Sequence, residues 1–298
     1  MKTVTSILAA GAVLLSAHAL AQTASPTPRP ALPGSSATAG SPDPLAPRPI
    51  DGVDTVFMEE MTWMEIRDAM KSGKDTAIVA TGGLEQNGPY LATAKHNIVL
   101  RATTDALARR LGNALVSSII QFVPEGEIDP PSGHMRYPGT ISLSAATFEA
   151  LLTDVASSLK STGFKTIVFI GDSGGNQAGM KKVAEALNAR WSASGVANRI
   201  YYVPEYYQSA FLHEWIEKTM GIKQIDEGLH DEYGISAIMA LVDPASIRLP
   251  QRVARGRDTI NGAKLSPLST TQANARRIVD RRVDETVEAL KRAIAAAK

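Results

Sequence analysis

The chain of 298 residues contains no cysteine. Disulfides and thiolate catalysis are thereby excluded, and any metal site has to be built from oxygen and imidazole ligands. Neither sign of charge is in excess. The net charge is +1, which leaves no basic footprint for nucleic acid. Long apolar runs are also missing. The most conspicuous, Ile7 to Leu15, is shorter than the roughly 20 residues needed to span a bilayer. Lys2 precedes it and Ala19-Leu20-Ala21 follows, so residues 1–21 read as a cleavable secretory signal. The expected location is the periplasm or the exterior, with no membrane attachment after cleavage. Residues 22–52 carry eight prolines among Ala, Ser, Thr and Gly and read as a disordered linker that cannot bury a core. Residues 53–298 are left as one folded domain.

Within that domain, short apolar runs alternate with amphipathic segments. Thr76–Ala80, Ala114–Val123, Lys165–Gly171 and Ile200–Val203 read as buried strands. Helices are expected over Trp63–Lys71, Asn97–Leu111, from Ser144 to Gly163, from Asn176 past Trp191, near Tyr207–Met220, after Glu232 to Val242, and over Thr271–Ala297. The alternating charges of the last read as a solvated face. Residues 245–268 read as irregular. This order predicts an α/β fold, a three-layer α/β/α domain with a mostly parallel central sheet.

Polar residues crowd the loops that follow the strands, where such sheets place ligands. The first loop, Thr81 to Asn97, holds Glu85, Gln86, Asn87, Tyr90, Lys95 and His96. The second, Pro124 to Thr140, is pinned by four prolines and carries Glu125, Glu127, Asp129, His134 and Arg136. The third opens with Asp172 and Ser173, and His230-Asp231-Glu232 precedes a helix. Gly171-Asp172-Ser173-Gly174-Gly175 also fits the nucleophile elbow Gly-x-Ser-x-Gly, with Asp226 and His230 following in order. No oxyanion motif accompanies it, and the spacing to His230 is short for a serine hydrolase. His213 reads as a packed or surface histidine. Tyr206 and Tyr207, like Tyr201 and Tyr202, read as core or as a pocket wall.

Gly82-Gly83-Leu84-Glu85-Gln86-Asn87-Gly88-Pro89-Tyr90-Leu91 resembles the signature of the creatininase family, Gly-Ser-x-Glu-Gln-His-Gly-Pro-His-Leu-Pro. Met61-Thr62-Trp63, Tyr137-Pro138-Gly139-Thr140 and Gly174-Gly175-Asn176 fall in the same order as in that family. The resemblance implies a creatininase-like fold, hydrolysis of amide-type C–N bonds with two divalent metals, and a homo-oligomer. Its metal ligands carry over only in part. Glu85 is retained, but Asn87 and Ser173 stand where the family has histidines. His96 stands where it has the bridging aspartate. The expectation is therefore one divalent ion per chain, Zn²⁺ or Mn²⁺, held by Glu85, His96 and Asp172. His134, Glu232 and His230 would move protons. Gln86, Asn87, Tyr90, Ser173, Asn176 and Arg136 would line the pocket, Arg136 facing a substrate carboxylate. The expected activity is metal-dependent hydrolysis of a small amide or cyclic amide, a non-peptide C–N bond. The alternatives are a non-catalytic binding member of the same fold and a serine hydrolase using Ser173.

Overall fold

The computed structural model describes residues 43–208 and 210–297. The chain divides at Pro47/Arg48, and the helices and strands named here belong to the unit Arg48–Lys298. The signal segment and most of the proline-rich linker lie outside the described residues.

Helix α1 (Trp63–Lys71) starts at a reciprocal cap. Thr62 accepts from the Glu65 backbone N–H, and the Glu65 carboxylate accepts from that of Thr62. Strand β1 (Thr76–Thr81) is buried at every position, as expected of a strand covered on both faces. Then come α2 (Lys95–Leu111) and β2 (Ala114–Val116). Helix α3 (Ala145–Thr162) begins at the Ser144 cap and stops at left-handed Gly163. It leads to β3 (Thr166–Gly171), α4 (Gln177–Ala193), β4 (Arg199–Tyr202), α5 (Ala210–Met220), α6 (Tyr233–Val242) and α7 (Leu249–Ala254). A hairpin of β5 (Thr259–Ile260) and β6 (Ala263–Lys264) precedes the long α8 (Leu268–Ala296).

The main sheet has the order β2-β1-β3-β4 and is parallel throughout. One face packs on residues of α2, α5, α6 and α8, including Leu100, Ile216, Ile238, Ile278 and Leu290. The other packs on α3 and α4 through Phe148, Leu152, Met180 and Leu187. The expected α/β/α layering is thus the observed one.

Three local differences follow from hydrogen bonding that apolar pattern does not report. Strand β2 ends at Val116, not Val123. Its partners run Thr76↔Ala114 to Ile78↔Val116, but the next bridge is Thr81↔Ile120, so one extra residue has entered on the β2 side. The stretch read as irregular contains α7 and the small hairpin. Helix α8 is not simply a solvated face, since Arg282 and Thr286 lie buried within its charged pattern.

Candidate active site

Parallel strands deliver their following loops to one edge of the sheet. The loops after β1, β2 and β3 meet there with the first turn of α2, the segment before α6, and one side chain from α8. They enclose a cleft of about 650 Å³ lined by Glu85, Lys95, His96, Glu125, His134, Asp172, Ser173, Tyr207, His213, Asp226, His230, Glu232 and Arg282 among others.

The floor is a chain of buried charges. Arg282 Nη1 donates to Asp172 Oδ1 at 2.9 Å, and Asp172 Oδ2 lies 2.8 Å from His96 Nδ1. His96 Nε2 lies 2.8 Å from Glu85 Oε1, which also accepts from Lys95 Nζ at 3.1 Å. Behind this line the Arg282 guanidinium sits 4.9 Å from the Tyr206 ring, and Tyr206 OH meets Thr103 Oγ1 at 2.7 Å. Burial opposes charge on Asp172, but Arg282 and His96 outweigh it and hold the carboxyl below its usual range. Glu85 is lowered in the same way, against burial, by His96, Lys95 and His134. Burial also works against the His96 imidazolium, yet its bonds to Asp172 and Glu85 raise it. Burial lowers Lys95, with its carboxylate neighbours opposing.

Glu125 behaves oppositely. Burial, then the neighbouring Glu85 charge, push its carboxyl up to about 8. It occupies the space left by Gly83, where a Cβ would overlap Glu125 Oε1. Oε1 has no hydrogen-bond partner, and Oε2 lies 3.5 Å from Ser173 Oγ.

Toward the mouth, Glu85 Oε2 stands 3.2 Å from His134 Nε2, and Glu85 Oε1 stands 3.6 Å from His230 Nε2. His134 Nδ1 donates to Gln86 Oε1 at 2.7 Å, which fixes the ring and leaves Nε2 facing Glu85. Glu85, His134 and His230 each offer a ligand atom, and these atoms lie within 4.8 Å of one another. His230 is held on a turn with left-handed backbone at Leu229 and His230, its N–H donating to the Asp226 carboxylate. Glu232 is bonded to His213 Nε2 at 3.0 Å.

The expected metal set Glu85, His96 and Asp172 is contiguous but does not converge. The His96 ring lies between the two carboxylates with one nitrogen committed to each, so the three cannot face one ion together. Several expected pocket residues point elsewhere. The Asn87 amide donates to the carbonyls of Glu85 and Ala92 and braces the first loop. Asn176 donates to Thr81 and to the Gly82 carbonyl, tying α4 to the end of β1. Tyr90 lies against Arg252 in a separate hollow. Arg136 is exposed, its Nε bonded to the Gly133 carbonyl. Ser173 does line the cleft. Among the described residues, however, its Oγ has Glu125 as side-chain partner and no histidine, and the Asp226 carboxylate is spent on the backbone of Gly228 and His230. The serine triad is therefore not assembled.

Lys95, Glu125 and Arg282 were assigned no role from sequence, and His213, read as a packed or surface histidine, instead lines the cleft and bonds Glu232. Lys95 and Glu125 had a signal, as charged groups in loops that converge. Arg282, 110 residues from its partner Asp172, had none.

The profile described as Creatininase, creatinine amidohydrolase, matches residues 59–290. Creatinine amidohydrolase of Pseudomonas putida is 28% identical over 116 residues, 39% of this chain and 44% of that protein. This match spans less than half of that relative's length. Mycofactocin precursor peptide peptidase of Mycolicibacterium smegmatis is 24% identical over 224 residues, 72% of this chain and 84% of that one. A crystal structure of creatinine amidohydrolase superposes with a TM-score of 0.57 at 18% identity, covering 82% of this chain and 98% of its own. Creatininase structures described as Zn-Zn type and Mn superpose with TM-scores of 0.56 at 18% identity, each covering 82% of this chain and 99% and 98% of their own. A profile match over most of the folded unit, with the same fold beneath it, means that this chain belongs to the creatininase family.

Proposed function

We propose that the cleft hydrolyses a C–N bond of a small amide or cyclic amide with one divalent ion, Zn²⁺ or Mn²⁺, held by Glu85, His134 and His230. The observation that carries this reading is the convergence of those three side chains at the mouth of the cleft. Glu85 Oε2 stands 3.2 Å from His134 Nε2 and Glu85 Oε1 3.6 Å from His230 Nε2, and one ligand atom from each of the three lies within 4.8 Å of the others. The Gln86 bond to His134 Nδ1 presents the lone pair of Nε2 on the correct side. A related creatininase is described with zinc and with manganese.

A divalent ion bound there would polarise a carbonyl and lower the pKa of a bound water to about 7. This chain's own residues supply the rest. Glu232, oriented by His213, faces the cleft and accepts a proton. Glu125, which lines the cleft and is held neutral near pH 7, returns one to a leaving nitrogen. The buried Arg282-Asp172-His96 line holds Glu85 in place.

A second reading, binding without turnover, draws on the same charges, because the inner carboxylates already have protein cations as partners. One assay separates the two. Metal-loaded protein is offered lactams, cyclic ureides, simple amides and short peptides. Turnover abolished by EDTA, and reduced about 10²-fold or more in Glu232→Gln, supports hydrolysis. Saturable ligand binding without any turnover supports the second reading. Turnover of peptides alone would move the substrate class toward that named for the mycobacterial relative. Labelling of Ser173 by a fluorophosphonate with parallel loss of activity would overturn the metal mechanism.

A further inference from the structure

We propose that Asn261, at the tip of the β5–β6 hairpin, is a positioning residue for the cleft. Its side chain clasps both ends of the segment 225–233 and thereby holds His230 and Glu232 in place. The inference rests on the proposed function for what those two side chains do. Amide exchange judges the clasp itself without reference to metal.

The segment has to be held from outside. Leu229 and His230 have φ of 51° and 73°, a left-handed backbone on two successive non-glycine residues. Such a conformation persists where the surroundings fix it. The Asp226 carboxylate accepts from the N–H groups of Gly228 and His230, which closes the turn on itself without attaching it to the domain. Gly88 N–H donates to the Leu229 carbonyl at 2.8 Å, and Ser236 and Arg252 donate to the Asp231 carboxylate. These contacts hold the middle of the segment and leave its ends.

Asn261 grips it on either side of His230 and Glu232. Its Nδ2 donates to the Ile225 carbonyl at 2.7 Å and to Glu227 Oε1 at 3.2 Å. Its backbone N–H donates to the same Glu227 oxygen at 2.6 Å. On the far side, Oδ1 accepts from the Tyr233 N–H at 2.9 Å. That N–H opens α6, where the first donors have no partner within the helix. Glu232 stands at the cap position but supplies no side-chain cap, its carboxylate being bonded to His213. Asn261 therefore caps α6 from 28 residues away, and the Glu232 carboxylate faces the cleft instead of turning back on its own helix.

The hairpin accounts for part of the choice of residue. Asn261 and Gly262 have φ of 49° and 76° between the paired Ile260 and Ala263, and Asn-Gly suits a two-residue turn with positive φ at both positions. Gly-Gly would serve that turn as well. The turn does not call for the side-chain bonds, all of which leave the hairpin and end on the segment before α6 or on its first residue.

The experiment removes the clasp and keeps the turn. Asn261→Gly retains the left-handed backbone and the N–H to Glu227 while losing the side-chain bonds. Glu227→Ala removes the other half, and Glu227→Gln keeps an acceptor oxygen. Hydrogen exchange is followed in chelator-treated protein, and the affinity for Mn²⁺ or Zn²⁺ is measured by equilibrium dialysis. Exchange over 225–233 should rise roughly 10-fold in Asn261→Gly and less in Glu227→Ala, with the main sheet unchanged. The metal dissociation constant should rise roughly 10-fold in Asn261→Gly. Glu227→Gln should match wild type in both readouts, and the melting temperature of every variant should stay within a few degrees of wild type. Unchanged exchange over 225–233 in Asn261→Gly, or a rise confined to 259–264, overturns the proposal. Faster exchange with an unaltered metal affinity overturns it too, since His230 would then be positioned without the clasp. A wild type that binds no metal removes the ion of the proposed function instead, and the exchange pattern then decides the clasp alone.

Discussion

Glu125 shows how far a single residue departs from its usual chemistry when the fold encloses it. Its folded pKa of about 8 lies above the ordinary carboxyl value, because burial and Glu85 both disfavour its charge. Between the two values the folded state holds a proton that the unfolded chain releases. Stability therefore falls as pH rises, by up to about 1.4 kcal/mol per pH unit, until the folded carboxyl ionises. Glu85 is displaced downward, so its contribution is already complete above the ordinary carboxyl range and stays constant from pH 6 to 8.5. His96 is raised and adds a loss of the same sign as Glu125 in that window. Glu125→Gln mimics the neutral carboxyl. In chelator-treated protein, the melting temperature of wild type should drop from pH 6 to 8.5 and that of Glu125→Gln should drop less. Identical slopes would mean that Glu125 is already ionised in the fold. At this scale the sequence was partly legible. Glu85, His134, His230 and Glu232 announce themselves as reactive types in loops after strands. Asn87, Asn176, Tyr90 and Arg136 are of the same types, yet they brace loops or face elsewhere. Residue type records what a side chain can do, but not which way the backbone turns it.

Among the elements, α8 ties the far end of the chain to the centre of the cleft. Helical periodicity puts Ile278, Val283, Val287, Leu290 and Ile294 on one side of it, and the first four are buried while Ile294 is partly buried against the same core. Arg282 was not legible in this way, because it stands among exposed basic and acidic neighbours and its partner Asp172 is created only when α8 packs across the end of β3. Arg282→Met should leave Asp172 buried without its strongest partner, at a cost of about 3–5 kcal/mol. Adding Asp172→Asn should recover part of that loss, since the uncompensated charge is then gone. Urea denaturation of the single and double variants measures both effects, and simple additivity of the two losses would refute the coupling. Lys291→Ala, on the exposed side of the same helix, should stay within about 0.5 kcal/mol of wild type. The element boundaries follow the same logic. Helices with strong caps, such as α1 after Thr62 and α3 after Ser144, were readable to within a residue. Strand β2 was not, because the extra residue beyond Val116 is specified by its pairing with β1, while apolar residues resume after Ser117-Ser118 and carry the pattern on to Val123.

On the scale of the whole molecule, the fold was legible because alternation of buried strands and amphipathic helices admits few arrangements other than a covered parallel sheet. The front of the chain rests on composition alone, and we propose from it that the protein is exported. Lys2, the apolar stretch from Ile7 and Ala19-Leu20-Ala21 place the cleavage after Ala21. The proline-rich segment beyond it lacks the apolar residues needed to add to a core. The hydrophobic clusters of the folded unit begin at Val56, and the cleft draws on residues from Glu85 to Arg282. The mature protein should therefore begin at Gln22. A chain shortened to start at Asp51 should keep the melting temperature and metal content of the mature form. Amino-terminal sequencing of protein from the periplasmic fraction tests the first expectation, and retention of Met1 in a membrane fraction would refute it. Calorimetry and metal analysis of the shortened chain test the second. A loss of several degrees on shortening would show that the proline-rich segment packs on the domain, which its composition argues against.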